Sequence, residues 1–216
     1  MPGTAAGRER QPDPPSRFLP QAQRIDLLHD LEAAILRRAL AETAALLQRR
    51  PTLRLTINLS ASHLARPDAA EALLATLASA AIDPSRLILD LSEVSLLQGI
   101  ADQLAPIHLL RSRGVGVYLD DFGQGLSSLR LLQEIPVDGI KLDNTVVAGL
   151  SGDPDTEAFL SAFLATLAHK GLQIVAEGVE TPQQRSQLQA LGCHQAQGRQ
   201  FGMAVPLERL TARLPA

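Results

Sequence analysis

The 216-residue sequence has one cysteine, Cys193, no tryptophan and only 3% aromatic residues. A single cysteine argues against a disulfide-rich secreted fold and a cysteine zinc site, and it fits a reducing cytoplasm. No apolar run approaches the roughly 20 residues that span a bilayer, and the N-terminus lacks the apolar segment of a signal peptide. The net charge of −3 argues against a DNA- or RNA-coating protein.

Lysine is also scarce, since only Lys141 and Lys170 among the 20 basic residues are lysines. Lysine carries a compact charge that burial can tune, so a lysine in an arginine-rich chain is a functional candidate. Lys170 precedes Gly171 at the end of a predicted helix, which indicates a capping or chance position. Lys141 closes a short apolar run and is the stronger candidate.

Strand-like apolar runs alternate with helical periodicity along the chain. The predicted strands are 53–58, 87–91, 115–119, 139–142, 172–176 and 194–201. The predicted helices are 24–50, 68–81, 98–113, 127–133, 155–170 and 182–191. This alternation predicts an α/β fold with a parallel sheet, either doubly wound or a barrel. Residues 1–15 are rich in proline and glycine and are predicted to be a poorly ordered leader before one domain, 16–216.

The polar residues at the ends of the predicted strands favour the barrel. These are Asn58, Asp90, Asp120, Asp121, Lys141, Glu177 and Gln197. In a (β/α)8 barrel the site is built from the carboxyl ends of several strands. A doubly wound sheet usually carries a Gly-rich phosphate loop, and none is present.

Several of these side chains are hard oxygen donors that suit Mg²⁺ or Mn²⁺ rather than zinc. The donors are Asn58, Asp90, Asp120, Asp121 and Glu177. Two such ions can clamp an in-line phosphodiester displacement, with Lys141 holding water or neutralising charge. Because Asp120 and Asp121 are adjacent, both can face one site only if the strand ends there and turns, which Gly123 and Gly125 permit.

Other interpretations remain open from the residues alone. A lone aspartate at a strand end is often a turn or capping residue. A Schiff-base aldolase with Lys141 as the amine is the main rival chemistry. The five histidines share no metal-ligand spacing, so most are expected to lie on the surface.

The motifs resemble those of the EAL domain, the cyclic di-GMP phosphodiesterase fold of bacterial signalling, from about residue 15 to residue 210. The matching segments include Ile57-Asn-Leu-Ser60, Leu89-Asp-Leu-Ser-Glu93, Leu119-Asp-Asp-Phe-Gly-Gln-Gly125, Ile140-Lys-Leu-Asp143 and Val175-Ala-Glu-Gly-Val-Glu-Thr181. The resemblance implies a (β/α)8 TIM-barrel-like fold in a bacterial cytoplasm. It also implies a two-metal site for Mg²⁺ or Mn²⁺ that opens cyclic di-GMP to linear pGpG.

The resemblance assigns roles residue by residue. Asn58, Asp90, Asp120 and Glu177 match metal ligands, and Asp121 matches a residue that serves the second metal. Lys141 matches the lysine that contacts water or phosphate. The remaining matches are Glu93, which steadies the loop after Asp120 and Asp121, and the site-lining Asp143, Glu180 and Gln197.

The sequence also departs from the family pattern. The eponymous Glu-Ala-Leu should precede the segment at 15–20, where Met1 to Ala5 does not supply it, and Glu71-Ala72-Leu73 falls inside a predicted helix. Asp90 stands in place of the usual glutamate. The other replaced positions are Gln124, Leu126, Asn144 and Arg199.

From these departures we expect a barrel that is incomplete at its N-terminus, with about six βα units. Hydrolysis by the isolated chain should be weak or lost, and the alternatives are a non-catalytic cyclic di-GMP receptor or an interaction scaffold. The open edge should invite a homodimer contact or a partner protein that completes the barrel.

Overall fold

The computed structural model describes residues 14–97, 100–123, 128–150 and 154–214. One parallel sheet runs through them, with its six strands in chain order from β1 to β6. The strands are β1 Leu55–Asn58, β2 Leu87–Ser92, β3 Gly116–Phe122, β4 Gly139–Leu142, β5 Gln173–Ala176 and β6 Gln195–Ala196. The sheet is a half-barrel, which confirms the predicted α/β barrel class with six strands.

Helices precede the first strand and connect or follow the others. They are α1 Pro15–Arg24, α2 Leu28–Arg49, α3 Ala61–Leu64, α4 Ala69–Ser79, α5 Glu93–Leu97, α6 Ile100–Ser112, α7 Ser128–Glu134, α8 Asn144–Ala148, α9 Pro154–His169, α10 Pro182–Ala190 and α11 Leu207–Arg213, with a 3₁₀ turn at Pro84–Arg86. In the described part of the chain, no helix is long and apolar enough to cross a membrane. Glu71-Ala72-Leu73 lies within α4, as predicted, and not at a strand end.

Strand order and register bring the carboxyl ends of the strands to one rim. Leu55 pairs with Leu87 and Asn58 with Asp90 across β1 and β2, and Ser92 pairs with Asp120 across β2 and β3. Within the described ranges, β1 pairs with β2 alone, so its other side is an open edge.

The core lies between the sheet and its helices. Leu87, Leu89 and Leu91 on β2 are fully buried, and Leu77 of α4 and Ile107 of α6 are fully buried in the same cluster. These alternate residues of β2 share one face of the sheet, so the helices pack on that face.

At the amino ends of the strands, arginines tie adjacent segments together. The Arg86 guanidinium donates to the carbonyl oxygens of Arg50 and Leu53. Arg111 donates to both carboxylate oxygens of Asp138, at 3.0 and 2.6 Å. The same carboxylate accepts the amide of Val117 at 3.0 Å, which joins α6, β3 and the segment before β4.

Several boundaries depart from the expectations, two of them near the ends of the chain. The region predicted as one or two helices over 24–50 is α2, preceded by α1, which begins at Pro15 because proline suits the first turn of a helix. Residues 1–13 of the predicted leader lie outside the described part, and the leader boundary stays a prediction. The last strand was predicted over 194–201, but β6 has two residues, since Gly198 adopts φ +151° against the Val179 backbone.

Candidate active site

Lys141 on β4 lies at the centre of a cluster of carboxylates. Its Nζ is 2.7 Å from Asp90 Oδ2, 2.6 Å from Glu177 Oε1 and 3.5 Å from Asp120 Oδ1. Lys141 and Asp90 are almost completely buried, at 7% and 3% exposure. One ammonium group therefore faces three carboxylates in a poorly solvated place.

Neighbouring parallel strands explain this convergence. Asp90 lies on β2, Asp120 on β3 and Lys141 on β4, all near the carboxyl ends of their strands. Glu177 follows β5 directly, and its amide continues the ladder by donating to the Leu142 carbonyl at 3.0 Å. Gly178 then turns the chain with φ +67°, where a Cβ would lie 2.6 Å from the Cβ of Asn144.

A β-bulge brings Asp120 and Asp121 to the same site. The register of β3 and β4 shifts between Leu119 and Phe122, and Asp121 adopts a left-handed φ of +57°. The extra residue places both neighbouring side chains on one side, which a regular strand forbids. The expectation that the strand would end there was wrong, because β3 continues to Phe122.

The electrostatics of the cluster follow from burial and from like charges. Burial raises the pKa of Asp90 to about 6, although the nearby Lys141 opposes this shift. Burial also raises the pKa of Glu177, and the charges of Asp120 and Asp121 add to the effect. The pKa of Asp121 is raised by burial and then by Asp120.

Lys141 remains protonated in this surrounding. Burial alone would lower its pKa, but hydrogen bonds to Asp90 and Glu177 outweigh burial and raise it. A Schiff-base lysine needs the opposite shift, because only the neutral amine attacks a carbonyl. The geometry therefore disfavours the aldolase alternative.

The donor set fits a hard divalent cation. One carboxylate oxygen from each of Asp120, Asp121 and Glu177 lies within 4.8 Å of the other two. Among the described residues, the buried Asp90 Oδ1 has no hydrogen-bond partner. Oxygen donors of this kind suit Mg²⁺ or Mn²⁺, and a cation would give the orphaned oxygen a partner.

The other residues predicted for the site divide into two groups. Asn58 is exposed and lies opposite Asp90 in the β1–β2 register, and Gln197 Nε2 donates to Glu177 Oε1 at 2.6 Å. Gln197 therefore contacts the cluster directly, and Asn58 lies at its rim, where it lines the same pocket as Asp90. Glu93 is buried at the first residue of α5.

Asp143 and Glu180 have other visible contacts. Asp143 is buried and caps α8, since its Oδ1 accepts the amide of Thr145 at 2.8 Å. Glu180 is exposed, and its carboxylate lies 3.4 Å from Arg199 Nε. Of the replaced family positions, Gln124 and Leu126 lie outside the described residues.

A groove of about 880 Å³ extends from the cluster along the open edge of β1. Asn58, Asp90, Asp120 and Asp121 line one part of it. Apolar side chains from α1, α2 and β1 line the rest, including Phe18, Leu19, Ile35, Leu55 and Ile57. Its size and mixed lining are typical of a small-molecule site.

Sequence reasoning missed a second polar cluster. His108, His169 and His194 are exposed as expected, but His29 and His63 are half-buried around Glu32. Glu32 also binds Ser60, whose amide donates to Oε1 at 3.0 Å. The members come from α2 and α3, and no spacing in the sequence indicates that these helices pack together.

The fold and the site define a half-barrel α/β protein with a cluster of oxygen donors at the carboxyl ends of its strands. The chain belongs to the EAL domain family, whose profile matches residues 5–204. It is 35% identical over 193 residues to the cyclic di-GMP phosphodiesterase RocR of Pseudomonas aeruginosa, which is 89% of this chain and 49% of RocR.

Solved structures agree with this assignment. The cyclic di-GMP complex of the PaMucR phosphodiesterase superposes with a TM-score of 0.82 at 33% identity, over 91% of this chain and 80% of that one. A manganese and cyclic di-GMP complex of Klebsiella pneumoniae BlrP1 gives a TM-score of 0.77 at 26% identity, over 86% of this chain and 47% of that one. The chain spans 24% to 49% of the lengths of the first curated relatives that it matches.

Proposed function

We propose that this chain is a metal-dependent phosphodiesterase module of cyclic di-GMP signalling that opens the cyclic dinucleotide to linear pGpG. The convergence of Asp120, Asp121 and Glu177 within 4.8 Å, beside Lys141, carries this proposal. Membership of the EAL family and similarity to RocR and PaMucR support the choice of substrate. The module acts in a bacterial cytoplasm, where cyclic di-GMP is the signal.

The metal is Mg²⁺ or Mn²⁺, held by Asp120, Asp121 and Glu177, with Asp90 and Asn58 completing the set. When bound, the ions supply Lewis acidity and an activated water for in-line displacement at phosphorus. Manganese in the BlrP1 complex supports this choice of metal.

The chain's own side chains position the reactants. Lys141 stays protonated and, once metal neutralises the carboxylates, its Nζ orients the attacking water or contacts the phosphate. Gln197 fixes the Glu177 carboxylate through a 2.6 Å hydrogen bond. By family resemblance, Glu93 supports the site from the first residue of α5, and Glu180 lines its rim. The buried Asp143 adjoins the site as the cap of α8.

The open edge of β1 sets the expected level of activity. The groove beside it exposes one side of the cluster, so water is poorly excluded from the reaction in the isolated chain. A second copy of the chain or a partner protein completes the barrel at this edge. We expect weak hydrolysis by the chain alone and stronger hydrolysis when a second copy or a partner protein covers the open edge.

A cyclic di-GMP receptor without turnover is the second candidate function. One observation favours it: Lys141 contacts Asp90 and Glu177 at 2.7 and 2.6 Å, and so competes with a cation for the same oxygens. A receptor would retain affinity for the dinucleotide after the metal is removed, and its Glu177→Gln variant would bind as the parent does.

A chromatographic assay of cyclic di-GMP incubated with the pure chain and Mn²⁺ tests the proposed function. Linear pGpG should form, and Glu177→Gln should abolish it. Lys170→Gln is a surface control, because Lys170 is exposed and directly follows α9. If the dinucleotide stays intact with a folded chain, both at low protein concentration and at a concentration high enough for self-association, the proposed phosphodiesterase activity is contradicted.

A further inference from the structure

A second group of candidate metal ligands lies between α2 and α3, apart from the cluster around Lys141. It consists of His29 and Glu32 on α2 and His63 on α3. One ligand atom from each residue lies within 4.8 Å of the other two. The three side chains are shielded, with side-chain exposures of 23%, 12% and 12%.

Both imidazoles direct a nitrogen toward the same carboxylate oxygen. His63 Nδ1 is 3.3 Å and His29 Nδ1 is 3.9 Å from Glu32 Oε2. The two rings are tilted by 58° with centroids 5.9 Å apart, so they converge without stacking. Neither Nδ1 atom is exposed, and neither makes a well-aligned hydrogen bond among the described residues, although His63 Nδ1 faces the Glu32 carboxylate.

Two buried ring nitrogens that lack a well-aligned hydrogen bond are costly unless a further group satisfies them. A bound cation would do so for both at once. Two histidines and one carboxylate are a ligand set found for catalytic zinc and related transition metals, with the remaining positions taken by water. Mg²⁺ prefers oxygen donors to nitrogen donors, so the two histidines and Glu32 should select a different metal from the carboxylate cluster.

The distances suit zinc. Tetrahedral bonds of about 2.0–2.1 Å place two ligand atoms about 3.3 Å apart. The pair from His63 and Glu32 already has that separation. His29 needs to approach Glu32 by about half an ångström, which a side-chain rotation provides.

The carboxylate is also oriented by neighbouring groups, as metal-binding carboxylates usually are. Ser60 donates its amide to Glu32 Oε1 at 3.0 Å and its hydroxyl to Oε2 at 2.8 Å. The Ser60 hydroxyl also accepts the amide of His63 at 3.2 Å and so caps α3. The ligands on the two helices are therefore held by the same serine.

We propose that His29, Glu32 and His63 form a binding site for one transition-metal ion of the zinc class. The ion crosslinks α2 to α3 beside the open edge. Asn58, a candidate ligand of the catalytic metal, lies two residues before Ser60, so the ion fixes the segment that carries Asn58. The proposed ion therefore holds α2 and α3 together, and its binding is independent of whether the chain hydrolyses cyclic di-GMP.

Zinc titration of the Glu177→Gln chain in millimolar Mg²⁺ tests this site, because that background removes zinc binding by the carboxylate cluster. We expect one Zn²⁺ per chain by calorimetry. His29→Gln and His63→Gln should each weaken binding by at least about 100-fold, since even loss of an outer-shell partner costs about 10–100-fold. His108→Gln is the matched control, because His108 is exposed on α6.

Imidazole NMR of the parent chain needs no variant and so is free of folding effects. Added Zn²⁺ should shift the resonances of two histidines, His29 and His63, and leave the other three unchanged. Zinc that binds the parent no more tightly than His63→Gln, or that shifts all five histidines alike, would overturn the site. Either result leaves the assay of cyclic di-GMP hydrolysis unaffected, so the two proposals fail separately.

Discussion

The two rims of the half-barrel differ in how their charged side chains are paired. At the amino ends of the strands, Arg111 and Asp138 form a matched bidentate pair. At the carboxyl ends, three carboxylates face the single ammonium of Lys141. In the first arrangement the two charges match, whereas the second has an excess of negative charge that a bound metal ion or protonation of a carboxylate would relieve.

The difference separates stability from function along one set of strands. In barrels of this type the carboxyl-end rim carries the chemistry and the opposite rim carries stability. Substitutions at the carboxyl ends should therefore change activity and metal binding, and substitutions at the amino ends should change stability alone.

The largest expected effect is the loss of activity in Glu177→Gln. This variant removes a charged metal ligand and should lower hydrolysis by at least about 100-fold, because even outer-shell losses cost about 10–100-fold. It should not lower the stability of the metal-free chain, since it also removes a like charge from a buried cluster. The measurement pairs pGpG formation with urea unfolding, and a large loss of stability would show that Glu177 is a structural residue.

The next effect is on stability, from Lys141→Met in the metal-free chain. Removing the ammonium leaves Asp90 buried without its ionic partner and should cost about 3 kcal/mol of unfolding free energy. Mn²⁺ should restore part of this loss, because the ion replaces the missing positive charge. Lys170→Met, at the chain's other lysine, should change the unfolding free energy little. Equal losses in both variants would contradict the claim that Lys141 stabilises the buried carboxylates.

At the opposite rim, Asp138→Ala should lower the unfolding free energy by about 2 kcal/mol, because it unpairs Arg111 and the amide of Val117. Metal affinity and activity per folded molecule should stay unchanged. Arg38→Gln is the matched control, since solvent screens the exposed Arg38–Glu42 pair and its loss should change stability little. A loss of metal affinity in folded Asp138→Ala would contradict the claim that substitutions at the amino ends change stability alone.

The smallest effect is the pH dependence of metal affinity. Burial raises the pKa of Asp90 to about 6, and a carboxylate must lose its proton to bind a cation. Affinity for Mn²⁺ should therefore fall as the pH drops from 7 to 5, by about tenfold for this one proton. Calorimetry at both pH values measures the fall, and Asp90→Asn should make it less steep, leaving the part due to Asp121 and Glu177. An equally steep fall in that variant would exclude Asp90 as the cause.

Much of the fold was predictable because local patterns determine it. The apolar strands and amphipathic helices alternate visibly, and parallel topology then brings Asp90, Asp120, Lys141 and Glu177 to one rim. The sequence motifs also predicted the resemblance to the EAL family, which the matches confirm.

The other features of the fold and the site depend on contacts between distant residues, which no short stretch of sequence indicates. The bulge at Asp121 arises in the pairing with β4, whereas the sequence analysis expected both aspartates to face one site only if the strand ended there. Gln197 was predicted for the site, but its bond to Glu177 required the geometry of β6. The convergence of His29 and His63 depends on the packing of two helices, which their spacing in the chain does not reveal.

Calorimetric titration with Mn²⁺ tests the metal-binding rim most directly, in a His63→Gln background that removes the histidine site. The chain should bind Mn²⁺ and retain that affinity in folded Asp138→Ala, whereas Glu177→Gln should weaken binding by at least about 100-fold. A folded chain that binds no Mn²⁺, or a Glu177→Gln variant that binds it as tightly as its parent, would contradict the assignment of the carboxylate cluster as the metal centre.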